Sequence, residues 1–114
     1  MRMLLFFDLP RDTSKEVRDA TKFVKELKRD GFIMLQESVY CKLLLNMSSF
    51  DSVRNRIDKI KPSKGNIILL TVTEKQFNSM EIVLGEISHK EFDSVDRVVV
   101  LWKYRYTTLT IIMK

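Results

Sequence analysis

Across 114 residues, 45% hydrophobic side chains accompany only three glycines and two prolines, which is material for one well-packed core and too little punctuation for a disordered tract. The formal charge of +5 favours an anionic partner, and no run of about 18 uncharged apolar residues is present, which argues against a membrane span and for a cytoplasmic protein. One cysteine, Cys41, and one histidine, His89, exclude an internal disulfide and leave little for a zinc site or for Ser-His or Cys-His nucleophilic machinery.

The opening MRMLLFFDLP has too short an apolar stretch, and lacks the small-residue cleavage site, for a secretion signal. Met3, Leu4, Leu5, Phe6 and Phe7 instead form the continuous apolar run of a buried central strand, ending at Asp8-Leu9-Pro10. Thr13 and Glu16 have the spacing of a capping box. Val17, Ala20, Val24 and Leu27 then repeat in helical rhythm to about Asp30, where Gly31 supplies a left-handed stop.

The opposite face of that helix carries Lys15, Arg18, Lys22, Lys25 and Arg29 at alternating steps of three and four, one continuous positive stripe flanked by Glu16, Asp19 and Glu26. Such a stripe either offers a polyanion a fixed surface or simply solubilises an outer helix face.

Phe32 to Leu35 and Val39 to Leu45 are predicted as two short strands or one bent hairpin, interrupted by Gln36, Glu37 and Ser38. Ser48 with Asp51 resembles a second cap, followed by the helical stripe Phe50, Val53, Ile57 and Ile60 and a stop at Pro62-Ser63-Lys64-Gly65-Asn66. The branched run IILLTVT is strongly β. Thr73 and Gln76 fit a cap over one short helical turn, after which Met80 to Leu84 and Arg97 to Trp102 are predicted strands around a polar loop, Glu86 to Asp96. Phe6, Phe7, Phe23, Phe32 and Phe50 sit in apolar patterns and are assigned to the core, with Tyr40 and Tyr104 left open.

The order β, α, β, β, α, β with additions is the signature of an α+β, ferredoxin-like sandwich with both helices on one sheet face. The other face cannot stay bare, since exposed apolar area costs roughly 25 cal/mol per Å²; a homodimer burying sheet against sheet is therefore expected. Charge is unevenly placed along the chain. Residues 1–65 carry 14 basic and 9 acidic side chains, residues 66–102 carry 3 and 6, and the tail from Lys103 carries 3 and none. Nucleic acid is the default partner for that asymmetry.

The first strand ending in FFDLP, the segment GFIMLQESVYCKLLLN, the segment KGNIILLTVTEKQF and the late RVVVLW together resemble one known family in order and spacing: the small CRISPR-associated adaptation protein, companion of the spacer integrase. SVY, LLLN and LLTVTEKQF look especially like members from Cas9-type systems. The resemblance spans residues 1–102 and implies a ferredoxin-like domain over that range, with residues 103–114 as a tail. It also implies a homodimer that bridges two CRISPR integrase dimers along a short DNA duplex. Members of the family have been described as Mg²⁺-dependent endonucleases acting on single-stranded RNA or on DNA.

Asp8 matches the family's aspartate at the end of the first strand, where carboxylates from two chains can share one Mg²⁺ across a two-fold axis. Without that resemblance, Asp8 is equally a turn residue accepting backbone hydrogen bonds. Arg11 and the stripe Lys15, Arg18, Lys22, Lys25 and Arg29 are the candidate phosphate contacts, with Arg54, Arg56, Lys59, Lys61 and Lys64 as further ones. Contacts of this kind position a duplex without reading bases.

The tail KYRYTTLTIIMK alternates polar and branched residues and suits strand addition to a partner's sheet; by resemblance that partner is the integrase. Three functions therefore stand side by side. The first is an architectural subunit of spacer integration, the second a Mg²⁺-dependent endoribonuclease or deoxyribonuclease, and the third a toxin-like RNA-binding module.

Overall fold

The computed structural model describes residues 1–85. The expected strand at Arg97 to Trp102, the loop 86–96 and the tail 103–114 lie outside the described residues, as do His89 and Tyr104. In chain order the elements are β1 (Arg2–Asp8), α1 (Ser14–Arg29), β2 (Ile33–Gln36), β3 (Val39–Leu43), α2 (Ser48–Ile60), β4 (Asn66–Val72) and α3 (Glu74–Asn78). The chain divides into two units, one covering Met1–Thr71 and a second beginning at Val72.

The four strands form one antiparallel sheet in the order β2-β3-β1-β4, the ferredoxin-like arrangement expected from the element order. β1 lies inside the sheet because Met3 to Phe7 are apolar without interruption. It pairs with β3 so that Leu5 faces Tyr40 and Leu4 faces Cys41. The pairing of β2 with β3 slips between Met34 and Gln36, and Ser38 adopts a φ of 69° in the tight connection.

Period-two alternation sorts β1 between two faces. Met3, Leu5 and Phe7 are buried in one cluster with Ala20, Phe23 and Leu27 of α1 and Val53 and Ile57 of α2. Phe7 is the hub of its aromatic neighbours, meeting Phe23 edge-on with ring centres 5.7 Å apart and stacking on Tyr40 at 5.8 Å. Tyr40 is therefore a core residue.

Phe50 is partly buried and packs against that cluster, whereas Phe6 alternates to the other sheet face and is only half-buried. On that second face Leu43, Ile68 and Leu70 stand 40%, 62% and 49% exposed. Arg2 and Cys41 of the same face are buried, so Leu43, Ile68 and Leu70 are the part left open to the covering partner that the sequence predicts.

α1 starts as its capping box requires. Thr13 Oγ1 accepts from the Glu16 amide at 3.1 Å, and Glu16 Oε1 accepts from the amides of Thr13 and Asp12 at 3.1 and 3.0 Å. Gly31, at φ 100°, ends the helix in the left-handed region. α3 repeats the box with Thr73 and Gln76.

α2 departs from expectation at its start: Ser48 does not cap it. Asn46 Oδ1 accepts from the Ser49 amide at 3.1 Å and from both serine hydroxyls, because Asn46 sits two residues before Ser48, where its short side chain reaches the Ser49 amide.

The segment Met80 to Leu84 also corrects the sequence reading. It is not a strand, and Val83 and Leu84 are 92% and 95% exposed. β character is realised only by pairing, and no strand among the described residues pairs with this segment.

Candidate nucleic-acid interface

At 3.6 residues per turn, Ala20, Phe23 and Leu27 set the buried direction of α1, and Arg18, Lys22, Lys25 and Arg29 point almost directly away from it. All four are exposed, as is Lys15. The helix thus converts a spacing in the sequence into a ridge about 20 Å long at 1.5 Å per residue. Val17 is the exception on the apolar side, 41% exposed at the margin.

Ion pairing divides the stripe. Lys15 Nζ lies 2.9 Å from Asp19 Oδ2, and Arg29 Nη1 lies 3.1 Å from Glu26 Oε2. Among the described residues, Arg18, Lys22 and Lys25 make no ion pair, so their charge faces solvent undiminished.

The helix-2 cations divide in the same way. Arg56 forks onto Asp30, with Nε 2.8 Å from Oδ1 and Nη2 3.3 Å from Oδ2, and its Nη1 also donates to Ser52 at 2.9 Å. A bidentate guanidinium is held in place, so Arg56 links the two helices and shares its charge with Asp30, unlike the unpaired cations of the stripe. Lys61 hydrogen-bonds Asp58 at 2.7 Å and holds that carboxyl below the usual carboxylate range. Arg54, Lys59 and Lys64 are exposed and outside these pairs.

The Asp30 clamp escapes sequence reasoning because its partners are 26 residues apart. Lys42 completes it, donating to the Asp30 carbonyl from β3. The ammonium of Lys42 also lies 6.0 Å from the centre of the Phe32 ring. The only trace of this cluster in the sequence is a polar residue, Lys42, in an otherwise apolar strand.

Asp8 ends β1 and is exposed, followed by Arg11, exposed in the connecting loop. The loop after α2 presses on this point. A Cβ on Gly65, whose φ is 110°, would lie 2.7 Å from the Asp8 carbonyl oxygen and 3.2 Å from the Leu9 Cα. Any side chain there would displace backbone, so Gly65 is required where the two loops meet.

Close by, a shallow depression is lined by Thr13, Lys15, Glu16, Asp19, Ser63 and Lys64. Its two cations face two carboxylates, which gives it no selectivity for anions.

Among the described residues, no three of His, Cys, Asp and Glu come together in a way that could hold a metal. Asp8 by itself offers one carboxylate, whereas Mg²⁺ takes six oxygen ligands and relies on one or two carboxylates with water and phosphate. The described residues of one chain therefore supply the fewest carboxylates such a site uses, with no second protein carboxylate beside Asp8 to fix the ion.

Comparison with known proteins extends these observations. Residues 1–80 match the family model described as CRISPR associated protein Cas2. A Treponema denticola protein named CRISPR-associated endoribonuclease Cas2 is 46% identical over 101 residues, covering 89% of this chain and all of that protein. A Streptococcus mutans protein of the same name is 50% identical over 101 residues, covering 89% and 93% respectively. Among solved structures, Streptococcus pyogenes Cas2 at pH 6.5 superposes with a TM-score of 0.59 at 20% identity, covering 75% of this chain and all of that one; that likeness concerns the fold.

Proposed function

This chain belongs to the CRISPR-associated Cas2 family, and from that premise we propose that it is a dimeric, architectural subunit of spacer acquisition that binds the backbone of a short DNA duplex and organises the integrase around it. The observation that carries the reading is the unpaired cationic ridge Arg18, Lys22 and Lys25 on a helix whose C-terminal end, Asp30, is held by Arg56 and Lys42. Cations that hold phosphates from a helix face fix position while ignoring sequence, and a subunit that captures any incoming fragment needs that combination. With the cognate integrase and a short duplex, integration should depend on adding this protein and should be lost when the ridge is reversed in charge. Integration by the integrase alone at the same rate would defeat the reading.

A dimer supplies the second requirement, two ridges on one body. The exposed face with Leu43, Ile68 and Leu70 is suited to an isologous contact, in which each apolar patch meets its own copy. Replacing Ile68 and Leu70 together by aspartate is expected to shift the native mass from two chains to one while each chain keeps its helical signal. A wild-type protein with the mass of one chain would remove the dimer from the account.

A second reading follows from the relatives' name, endoribonuclease. In a sheet-to-sheet dimer Asp8 from each chain offers the pair of carboxylates that one chain lacks, a pair suited to hold one shared Mg²⁺ for hydrolysis of a phosphodiester in single-stranded RNA or in DNA. In the architectural reading Asp8 is instead the last residue of β1, beside the Gly65 contact, and hydrolysis is not part of integration. Residues 103–114 are proposed as the segment that docks on the integrase.

A further inference from the structure

We propose that the nucleic-acid backbone follows the flank of α1 that faces away from α2, with Lys28 as its fourth cationic contact after Arg18, Lys22 and Lys25; this rests on the phosphate-ridge reading above. The acidic residues of α1 supply the first argument. Asp19, Glu26 and Asp30 recur at steps of seven and four, which aligns them along a single flank. Asp30 fixes which flank it is, because its carboxylate holds Arg56 of α2.

The basic residues that are neutralised turn the same way: Lys15 onto Asp19 and Arg29 onto Glu26. The seam between the helices is therefore charge-balanced, and a polyanion approaching it meets three carboxylates.

The opposite flank differs in kind. It carries Val17, Thr21 and Lys28 and no acidic residue. The Thr21 hydroxyl donates to the Val17 carbonyl at 2.9 Å, which leaves a short, uncharged surface that a sugar-phosphate chain can approach closely. Lys28 is exposed there and, among the described residues, makes no ion pair.

Arg18, Lys22, Lys25 and Lys28 run at steps of four, three and three, so their line curls toward this flank at its C-terminal end. From first to last they span about 15 Å along the helix axis, roughly the rise of four nucleotides of one strand at 3.4 Å each.

The test measures binding of a labelled DNA duplex by the full chain between 50 and 200 mM salt, for wild type and for Lys22→Gln, Lys28→Gln and Lys59→Gln. Removing one cation that holds a phosphate should lower the salt slope by about 0.9, shrinking the ratio of affinities across that range about 3.5-fold. Lys22→Gln and Lys28→Gln are expected to show this reduction, whereas Lys59 lies on α2, the side that the outer-flank path leaves, so Lys59→Gln is expected to keep the wild-type slope, with thermal melts unchanged in all three.

A wild-type slope for Lys28→Gln beside a reduced one for Lys22→Gln would overturn the outer-flank path and leave the ridge standing. A reduced slope for Lys59→Gln with Lys28→Gln unchanged would move the backbone to the α2 side and overturn it equally. Wild-type slopes for both Lys22→Gln and Lys28→Gln would overturn the ridge itself.

Discussion

Replacing Arg18, Lys22 and Lys25 together by glutamate is expected to weaken binding of a short DNA duplex by roughly 100-fold or more at physiological salt, with a salt slope lower by about 2.7 for each ridge of three cations that engages the duplex. The size of the effect follows from the geometry. The three side chains are exposed and outside ion pairs, so nothing local offsets their charge, and reversal converts attraction to repulsion along the whole middle of α1. Stability should hardly change, because surface substitutions away from packing and caps usually stay within about 0.5 kcal/mol.

The same triple change is therefore a clean separation of binding from folding. A duplex affinity within a factor of two of wild type, measured by anisotropy, would mean that α1 is an ordinary solvated helix face.

Phe23→Ala is expected to have the largest effect on the fold, destabilising it by about 3–5 kcal/mol. Phe23 is 1% exposed, packs edge-on against Phe7 and belongs to the core cluster that α1 shares with the sheet and α2. Truncation leaves a ring-sized cavity beneath the helix that carries the cationic ridge. Against a typical total stability of about 5–15 kcal/mol, that loss moves the denaturation midpoint far toward zero or prevents folding at 37 °C. Phe6→Ala provides the contrast. Phe6 is half-buried on the other face, and its removal should cost the isolated chain less; a larger loss than for Phe23→Ala in chemical denaturation would contradict the assignment of faces.

Much of this architecture was legible because its signals are local. The capping boxes at Thr13 and Thr73 bring together residues three positions apart, and the stop at Gly31 needs only one backbone angle. The β1 run and the α1 stripe declare themselves by period. Even the ferredoxin-like order followed from counting elements.

What the sequence left undecided depends on partners distant along the chain. Nothing in the spacing separates Arg56, which is committed to Asp30, from Lys59, which is not. Asn46 displaced Ser48 as the side chain that accepts at the start of α2 because two polar candidates two residues apart compete and only the loop's path decides between them. Met80 to Leu84 has strand composition, yet composition makes a strand only where another strand offers its hydrogen bonds. Arg2 is buried, 1% exposed, although a charged residue next to a chain start is ordinarily placed in water.

For the candidate site the division is sharper. The stripe was visible residue by residue, while its sorting into paired and unpaired members required the side chains of both helices. The approach of Gly65 to the Asp8 carbonyl links two loops far apart in the chain and has no sequence signature beyond a glycine in a turn.

The architectural claim is tested most directly by spacer integration in vitro, using the cognate integrase, a short duplex and either wild type or Asp8→Asn. The account predicts that the variant integrates as fully as wild type, since Asp8 lies off the ridge and contributes no chemistry to integration. Loss of integration by Asp8→Asn, with dimerisation and duplex binding intact, would contradict it and make the Asp8 carboxylate part of the reaction.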